Sequence, residues 1–500
     1  MAETTSPVSD AVTSRPDPRR WKALGVLALV QFMLILDITV VNVALPSIKK
    51  DLGFSQSGLA WVVNGYTLMA GGLLLLGGRL SDILGRRRLF LAGVALFAVA
   101  SLTCGAAANP QMLVISRFVQ GAGEAMAAPA ALGLVALLFP DPRERMKALG
   151  IWGGLAGLGG TTGTVISGAL TDLASWRWVF FVNLPVAAFA LLVVPRLVSE
   201  SRMQRDVTHG RRRVDIFGPL TATAGLIAIV HGLLQAVGND WGSATVLLPL
   251  LGGIALLGAF VVIEMRIEQP LIPLRFFTNR TRVVTNAVTL FFSSAFFTYF
   301  FLLTLFLQQV AGFSPLRAGL AYLPFGISIG AGIGLGTALM PKFGVKPLLV
   351  TGFFGCAVGL LLTSGIGTGS SYLGGVFPGM VVLAIFSGIS FPAIGNASLH
   401  QVTGQDASLA SGVQNAVQQV GGALGLATLV TLALRHAADL VSRGDSVPFA
   451  ATSGYALAFR TGAVLLVIGG VLVSVFLERV QSTPRHVELE VEADATAVAG

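Results

Sequence analysis

The chain is predicted to be an all-α integral membrane protein of about fourteen spanning helices. Three observations predict this. Charged residues make up 11% of the 500 residues and apolar ones 54%, whereas a soluble chain carries roughly 25% charge. The apolar residues fall in long runs, each enough to cross the ~30 Å oily core of a bilayer at 1.5 Å per residue. Short polar turns, several rich in arginine, separate the runs. The 61 glycines fit the same class, because membrane helices tolerate glycine and pack closely through it. The net charge of +9 does not imply a nucleic-acid partner, since the basic residues stand between apolar runs and anchor topology.

In chain order, the runs begin near Ala23, Leu59, Leu89, Met112, Ala148, Trp178, Ile216, Ala244, Val284, Arg317, Pro347, Gly374, Leu409 and Ala456. An even number returns both termini to one side. Taking residue 1 as inside places most of the 33 lysines and arginines inside, so both termini are expected in the cytoplasm and the protein in the cell membrane. Lys49 and Lys50 are the exception, with Asp51 beside them. The first run is full length and lacks a small-residue cleavage pattern, so no cleaved signal peptide is expected. Cys104 and Cys356 both lie in apolar runs and read as packing residues.

The expected organisation is a cytoplasmic tail (1–22), a six-helix bundle (23–200), a basic linker with two inserted spans (201–282), a second six-helix bundle (283–480) and an acidic cytoplasmic tail (481–500). The turn at 339–346 occupies the same place in the second block as the turn at 77–88 in the first. Such parallel repeats belong to transporters built from two bundles around a central cavity.

Ionisable residues deep in a bilayer are costly, and they are candidates for function. Asp37, Arg117, Glu124 and His231 qualify; Glu264 and Glu478 sit at span ends, where they are expected to reach water. Counted along its helix, Asp37 lies ~22 Å from the cytoplasmic end, and Arg117 ~9 Å below the opposite face. These depths agree. An arginine stays charged and a carboxylate is its natural partner, so the two are expected to face one cavity and interact, at least in one conformation, either for transport or as a structural pair. Glu124 follows Arg117 by seven residues, which places both, with Gln120, on one helix face, ~10 Å apart. Its neighbours Gly121, Gly123, Ala125 and Ala127 are small and apolar, a setting that suits a carboxyl carrying a proton. The alternative is a glutamate that bonds a neighbouring helix. His231 reads as a helix contact. Asn42 and Gln120 are candidate polar groups of a cavity. The aromatic run of the ninth span (Phe291, Phe292, Phe296, Phe297, Tyr299, Phe300, Phe301) is expected to face lipid on at least one side.

The turn Gly77–Arg88 packs four arginines, one aspartate and three glycines between two apolar runs. Its spacing Gly78-x-Leu80-x-Asp82-x-x-Gly85-Arg86-Arg87, with Arg79, resembles the signature loop between helices 2 and 3 of the major facilitator superfamily. Ile83 stands where that loop usually has a basic residue. Leu113-x-x-x-Arg117-x-x-Gln120-Gly121 resembles the superfamily's helix-4 motif, whose arginine is associated with proton coupling. The stretch around Asp37 and the run Trp176-Arg177-Trp178-Val179-Phe180-Phe181-Val182-Asn183-Leu184-Pro185 are similar to fourteen-helix drug:proton antiporters. In helix 5, Gly159, Gly163 and Gly168 keep a small-residue packing face, with Thr164 and Ser167 where that branch has proline and glycine. The resemblance implies two bundles working by alternating access, with Asp37, Arg117 and Glu124 coupling protons to substrate.

No nucleotide-binding loop, metal cluster or nucleophile–base set appears in the sequence, so an enzyme is not expected and no cofactor is implied. The expected function is export of antibiotics or other lipophilic or cationic compounds in exchange for protons, by a monomer. The alternative is proton-coupled transport of one endogenous metabolite on the same fold.

Overall fold

The computed structural model describes residues 19–198, 215–267, 270–273, 276, 278–401 and 407–478. The expected tails before residue 19 and after residue 478, and the linker residues 199–214, lie outside this set. Every regular element among the described residues is helical.

Helix α1 (Arg20–Leu52) ends where Gly53 turns left-handed (φ 72°) and donates its N–H to the Lys49 carbonyl, the usual use of glycine at a helix end. Helix α2 (Gln56–Leu84) starts on Ser55, whose hydroxyl accepts the Gly58 N–H at 3.0 Å. It runs on through most of the expected turn. Only Gly85, at φ 102°, separates it from α3 (Arg86–Gly105). The reason is local: apart from the glycines nothing in 77–84 opposes a helix, and Asp82 pairs with Arg86 at 3.1 Å. Helix α4 (Pro110–Leu138) is capped by Asn109 and α5 (Pro142–Leu173) by Asp141, each with proline in the first turn. The sixth span is broken into α6 (Trp178–Phe181) and α7 (Asn183–Leu197).

The inserted pair is α8 (Phe217–Gln235) and α9 (Ala244–Arg266). Then come α10 (Arg280–Leu305), which ends in a π-helical turn at Phe306–Val310, and a divided span of α11 (Pro315–Ala321) and α12 (Leu323–Phe343). Helix α13 (Val345–Thr363) is followed by a second π-helical turn (Tyr372–Val376), α14 (Phe377–Ser398), α15 (Ala407–Ser442) and α16 (Val447–Phe476). Thirteen helices among the described residues are long and apolar enough to cross a membrane. The less apolar, 32-residue α5 lies along α1.

Helices α1–α7 pack on one another, as do α10–α16. Within the first group, α3 and α4 touch backbone to backbone: a Cβ on Gly93 would stand 2.8 Å from the Gly123 carbonyl oxygen. Between the groups, α2 meets α15, where a Cβ on Gly71 would stand 2.6 Å from Gln419 Cβ. The α8–α9 pair sits outside, with α8 against both α2 and α15. At the end away from Arg19 and Glu478, Gln308 donates to the Val43 carbonyl at 2.7 Å and Ser314 to Asp172 at 2.9 Å. The bundles are thus tied together at that end.

Of the seven aromatic residues named in α10, Phe292, Tyr299 and Phe301 are buried and Phe291, Phe296, Phe297 and Phe300 half-buried, as α10 packs against α14, α15 and α16. Phe292 lies 5.3 Å from Phe391 and 5.8 Å from Phe353, and Phe300 4.8 Å from Phe325, ring centre to ring centre.

Candidate functional site

The site grows from Arg117 on α4, which is only 1% exposed. Its Nη1 donates to Asp37 Oδ2 at 2.5 Å and to Gln120 Oε1 at 2.7 Å, and its Nε to the Val62 carbonyl at 2.8 Å. The guanidinium carbon lies 4.2 Å from the centre of the Tyr66 ring, a cation–π contact that replaces part of its hydration. The other oxygen of Asp37, Oδ1, accepts from Gln120 Nε2 at 2.8 Å and from Asn183 Nδ2 at 2.9 Å. Gln120 also donates to Ser101 Oγ at 2.9 Å. Five helices therefore converge on one ion pair: α1 brings Asp37, α2 Val62 and Tyr66, α3 Ser101, α4 Arg117 and Gln120, and α7 Asn183. A buried pair needs further hydrogen bonds to persist, and these neighbours serve both oxygens of Asp37.

The structure brings Asp37, Arg117 and Gln120 together. In this conformation the pair is buried. Asp37 is 0% exposed, and the network lies wholly within the first bundle. The reason is the broken sixth span, whose Asn183 closes over the carboxylate. Asn42 stays apart and donates to its own-turn Ile38 carbonyl at 3.2 Å.

Glu124, one helical face along from Arg117, is 8% exposed, and its buried Oε2 has no hydrogen-bond partner. The Tyr66 hydroxyl is the polar group that faces it. Tyr66 thus stands between the ion pair and Glu124, with its ring on the arginine and its hydroxyl towards the carboxyl. An unsatisfied carboxyl oxygen at such a site is a place for a proton or for a ligand's donor.

The turn residues pin the first bundle at the chain-end side. Arg86 donates to Asp82 and to the Gly133 carbonyl (3.0 Å), and Arg87 to the Val198 carbonyl (3.0 Å). Arg79 and Gly78 are half-buried beside them. The α5 glycines serve two seams. A Cβ on Gly163 would meet Thr39 Oγ1 at 2.1 Å and one on Gly159 would meet Ile35 at 3.2 Å, both on α1. A Cβ on Gly168 would stand 2.6 Å from the Pro315 carbonyl oxygen in the other bundle. Ser167 donates to the Val40 carbonyl. His231 is exposed beside Gln235, at 3.4 Å. Among the described residues there is no group of three metal-ligating side chains.

Ser101, Asn183 and Tyr66 are parts of the network that the sequence reading did not assign. Asn183 lay in the run quoted for the sixth span, and a polar residue one helix-start from four aromatics was its available signal.

The family model of the Major Facilitator Superfamily matches residues 27–426. The chain belongs to the major facilitator superfamily. Relatives within it include the puromycin resistance protein pur8 of Streptomyces alboniger, 38% identical with 92% of each chain covered. The lincomycin resistance protein of Streptomyces lincolnensis is 39% identical, covering 91% of this chain and 92% of that one. The cephamycin export protein CmcT of Amycolatopsis lactamdurans is 36% identical, covering 92% and 93%. Among solved structures, an autoinhibited POT-family peptide transporter has the same fold at a TM-score of 0.69 and 13% identity, covering 93% of this chain and 98% of that one. A bacterial homologue of the lysosomal transporter Spinster, inward-facing and occupied, gives 0.63 at 16% identity, covering 94% and 99%. This superfamily protein is a multi-span membrane transporter of small molecules.

Proposed function

We propose that the transporter exports antibiotics or related lipophilic or cationic compounds from the cell in exchange for protons, as a member of the fourteen-helix drug:proton branch. The observation that carries the reading is the set of relatives above 35% identity over nine-tenths of the chain, named for resistance to or export of chemically unrelated antibiotics. The buried charges support the coupling. Glu124 has a buried, unsatisfied oxygen, beside the Tyr66 ring that covers Arg117 of the fixed ion pair. With its proton on, Glu124 is neutral and tolerates an empty apolar site; with its proton off, it is a counter-charge for a cationic substrate. Binding proton and substrate in alternation at one group is exchange. The Asp37–Arg117 pair holds Tyr66 and sets the field at Glu124. Both termini lie in the cytoplasm in this reading, as the arginine distribution requires, and the unit is the monomer.

The test uses inside-out vesicles with an acid interior. Puromycin, lincomycin and a lipophilic cation are added in turn and proton release is followed. Release by several of them, with mutual competition, is expected. Release by no compound, from folded and correctly oriented protein, overturns proton exchange and moves the reading to a single metabolite.

A further inference from the structure

A second pair of carboxyl groups lies far from Asp37 in the chain, at the foot of the inserted helices. Asp215 precedes α8 and Glu264 sits in the last turn of α9. Both are 6% exposed, so Glu264 does not reach water as its position at a span end implied. Each has one oxygen engaged by the backbone: Asp215 Oδ1 accepts the Gly218 N–H at 2.9 Å, and Glu264 Oε2 the Ile272 N–H at 3.3 Å. The remaining oxygens, Asp215 Oδ2 and Glu264 Oε1, are buried without a hydrogen-bond partner. They face the same point. A Cβ on Gly218 would stand 2.1 Å from the first and 3.1 Å from the second. Gly218 leaves room there for the two oxygens alone.

Two ionised carboxylates cannot share a dry site cheaply. No arginine, lysine or histidine among the described residues pairs with either: Arg266 on α9 is exposed, and the Arg282 guanidinium lies over the Phe276 ring at 4.8 Å. A metal would find two oxygens where hard cations take six or more. One proton satisfies every atom present. It turns one carboxyl into a donor and leaves the other as the acceptor it meets.

We propose that Asp215 and Glu264 form a proton-binding site that holds one proton between Asp215 Oδ2 and Glu264 Oε1. The proton comes from water, the pair keeps a single negative charge, and no other bond changes. The site has a mechanical position. Through Ile272 it fixes a segment whose side chains, Ile272 and Phe276, pack on Ala410 and Val413 of α15 and Leu75 of α2, one from each bundle. The protonated pair therefore fastens the inserted helices to the seam between the bundles.

The test is infrared difference spectroscopy on the full transporter in lipid, which detects the carbonyl stretch of a protonated carboxylic acid without any transport step. Wild type is compared with Asp215→Asn and Glu264→Gln, both close in shape to the original side chain. The loss of one protonated-acid band in each single variant, with no further loss in the double variant, is expected. Gly218→Ala, which drives a methyl between the acids, shifts or removes the same band. A protonated-acid band of undiminished intensity in both single variants overturns the proposal. Because each variant reports the same band, an undiminished band in whichever single variant folds also overturns the proposal, and the outcome is independent of what the transporter carries.

Discussion

The two bundles share a fold and differ in what they bury. Among the described residues of α1–α7, three acidic or basic side chains are buried: Asp37, Arg117 and Glu124. Among those of α10–α16 no aspartate, glutamate, lysine or arginine is buried; the buried polar groups are hydroxyls and amides such as Thr289, Thr304 and Gln414. In place of charge the second bundle has rings, with Phe292, Phe296, Phe300, Phe325, Phe353 and Phe391 in one chain of contacts. The difference teaches a division of labour. Charge must be held in one conformation by many partners, whereas aromatic rings offer apolar surface that accepts varied shapes. Under the proposed exchange, the first bundle would handle the proton and the second would adapt to an apolar molecule.

That division can be broken by mutation, with effects of graded size. Arg117→Ala leaves Asp37 buried without its counter-charge, so the loss is about 3–5 kcal/mol of stability with transport abolished. Arg117→Lys recovers only part, since one ammonium cannot serve Asp37, Gln120 and Val62 together. Thermal unfolding in lipid and drug-driven proton release read both. In the second bundle, Phe292→Ala also costs about 3–5 kcal/mol through the cavity it leaves. Here the protons moved per substrate stay unchanged while apparent substrate affinity falls, and that contrast sharpens the comparison. Asn183→Ala removes one donor to a charged carboxylate, for about 1.5–3 kcal/mol, and lowers coupled transport more than binding. The smallest effect belongs to Gln414→Ala, whose bond to Thr289 at 3.0 Å is neutral on both sides and is worth about 1 kcal/mol.

The superfamily fold was legible because a bilayer forces long apolar runs, and runs are visible in one dimension. The ion pair was legible for a related reason. Asp37 and Arg117 have depths fixed by helix rise, so their heights could be matched before their faces were known. What a single helix cannot show is which way it turns. Which rings of α10 are buried depends on its contacts with α14, α15 and α16, and these are not visible in one dimension. Asp37 lies under Asn183 in this conformation, a contact set by the broken sixth span and not visible in one helix. Glu264 was set aside by its position at a span end, although the segment after α9 folds back over it. The interruptions at Val182 and Tyr322 are followed by Pro185 and Pro324, and the second π-helical turn holds Gly374 and Gly375, signals that the run-by-run reading passed over; the turn at Phe306–Val310 contains neither residue type.

The central claim is that Glu124, in the first bundle, is where proton and substrate are exchanged. The direct measurement is transport by Glu124→Gln in proteoliposomes, run in two modes with one labelled antibiotic. A neutral glutamine mimics the protonated acid and cannot release a proton. Transport driven by a pH gradient is therefore predicted to fall to background in this variant. Exchange of labelled for unlabelled drug, which needs no net proton movement, persists for neutral compounds. Gradient-driven transport at the wild-type rate in Glu124→Gln would contradict the account.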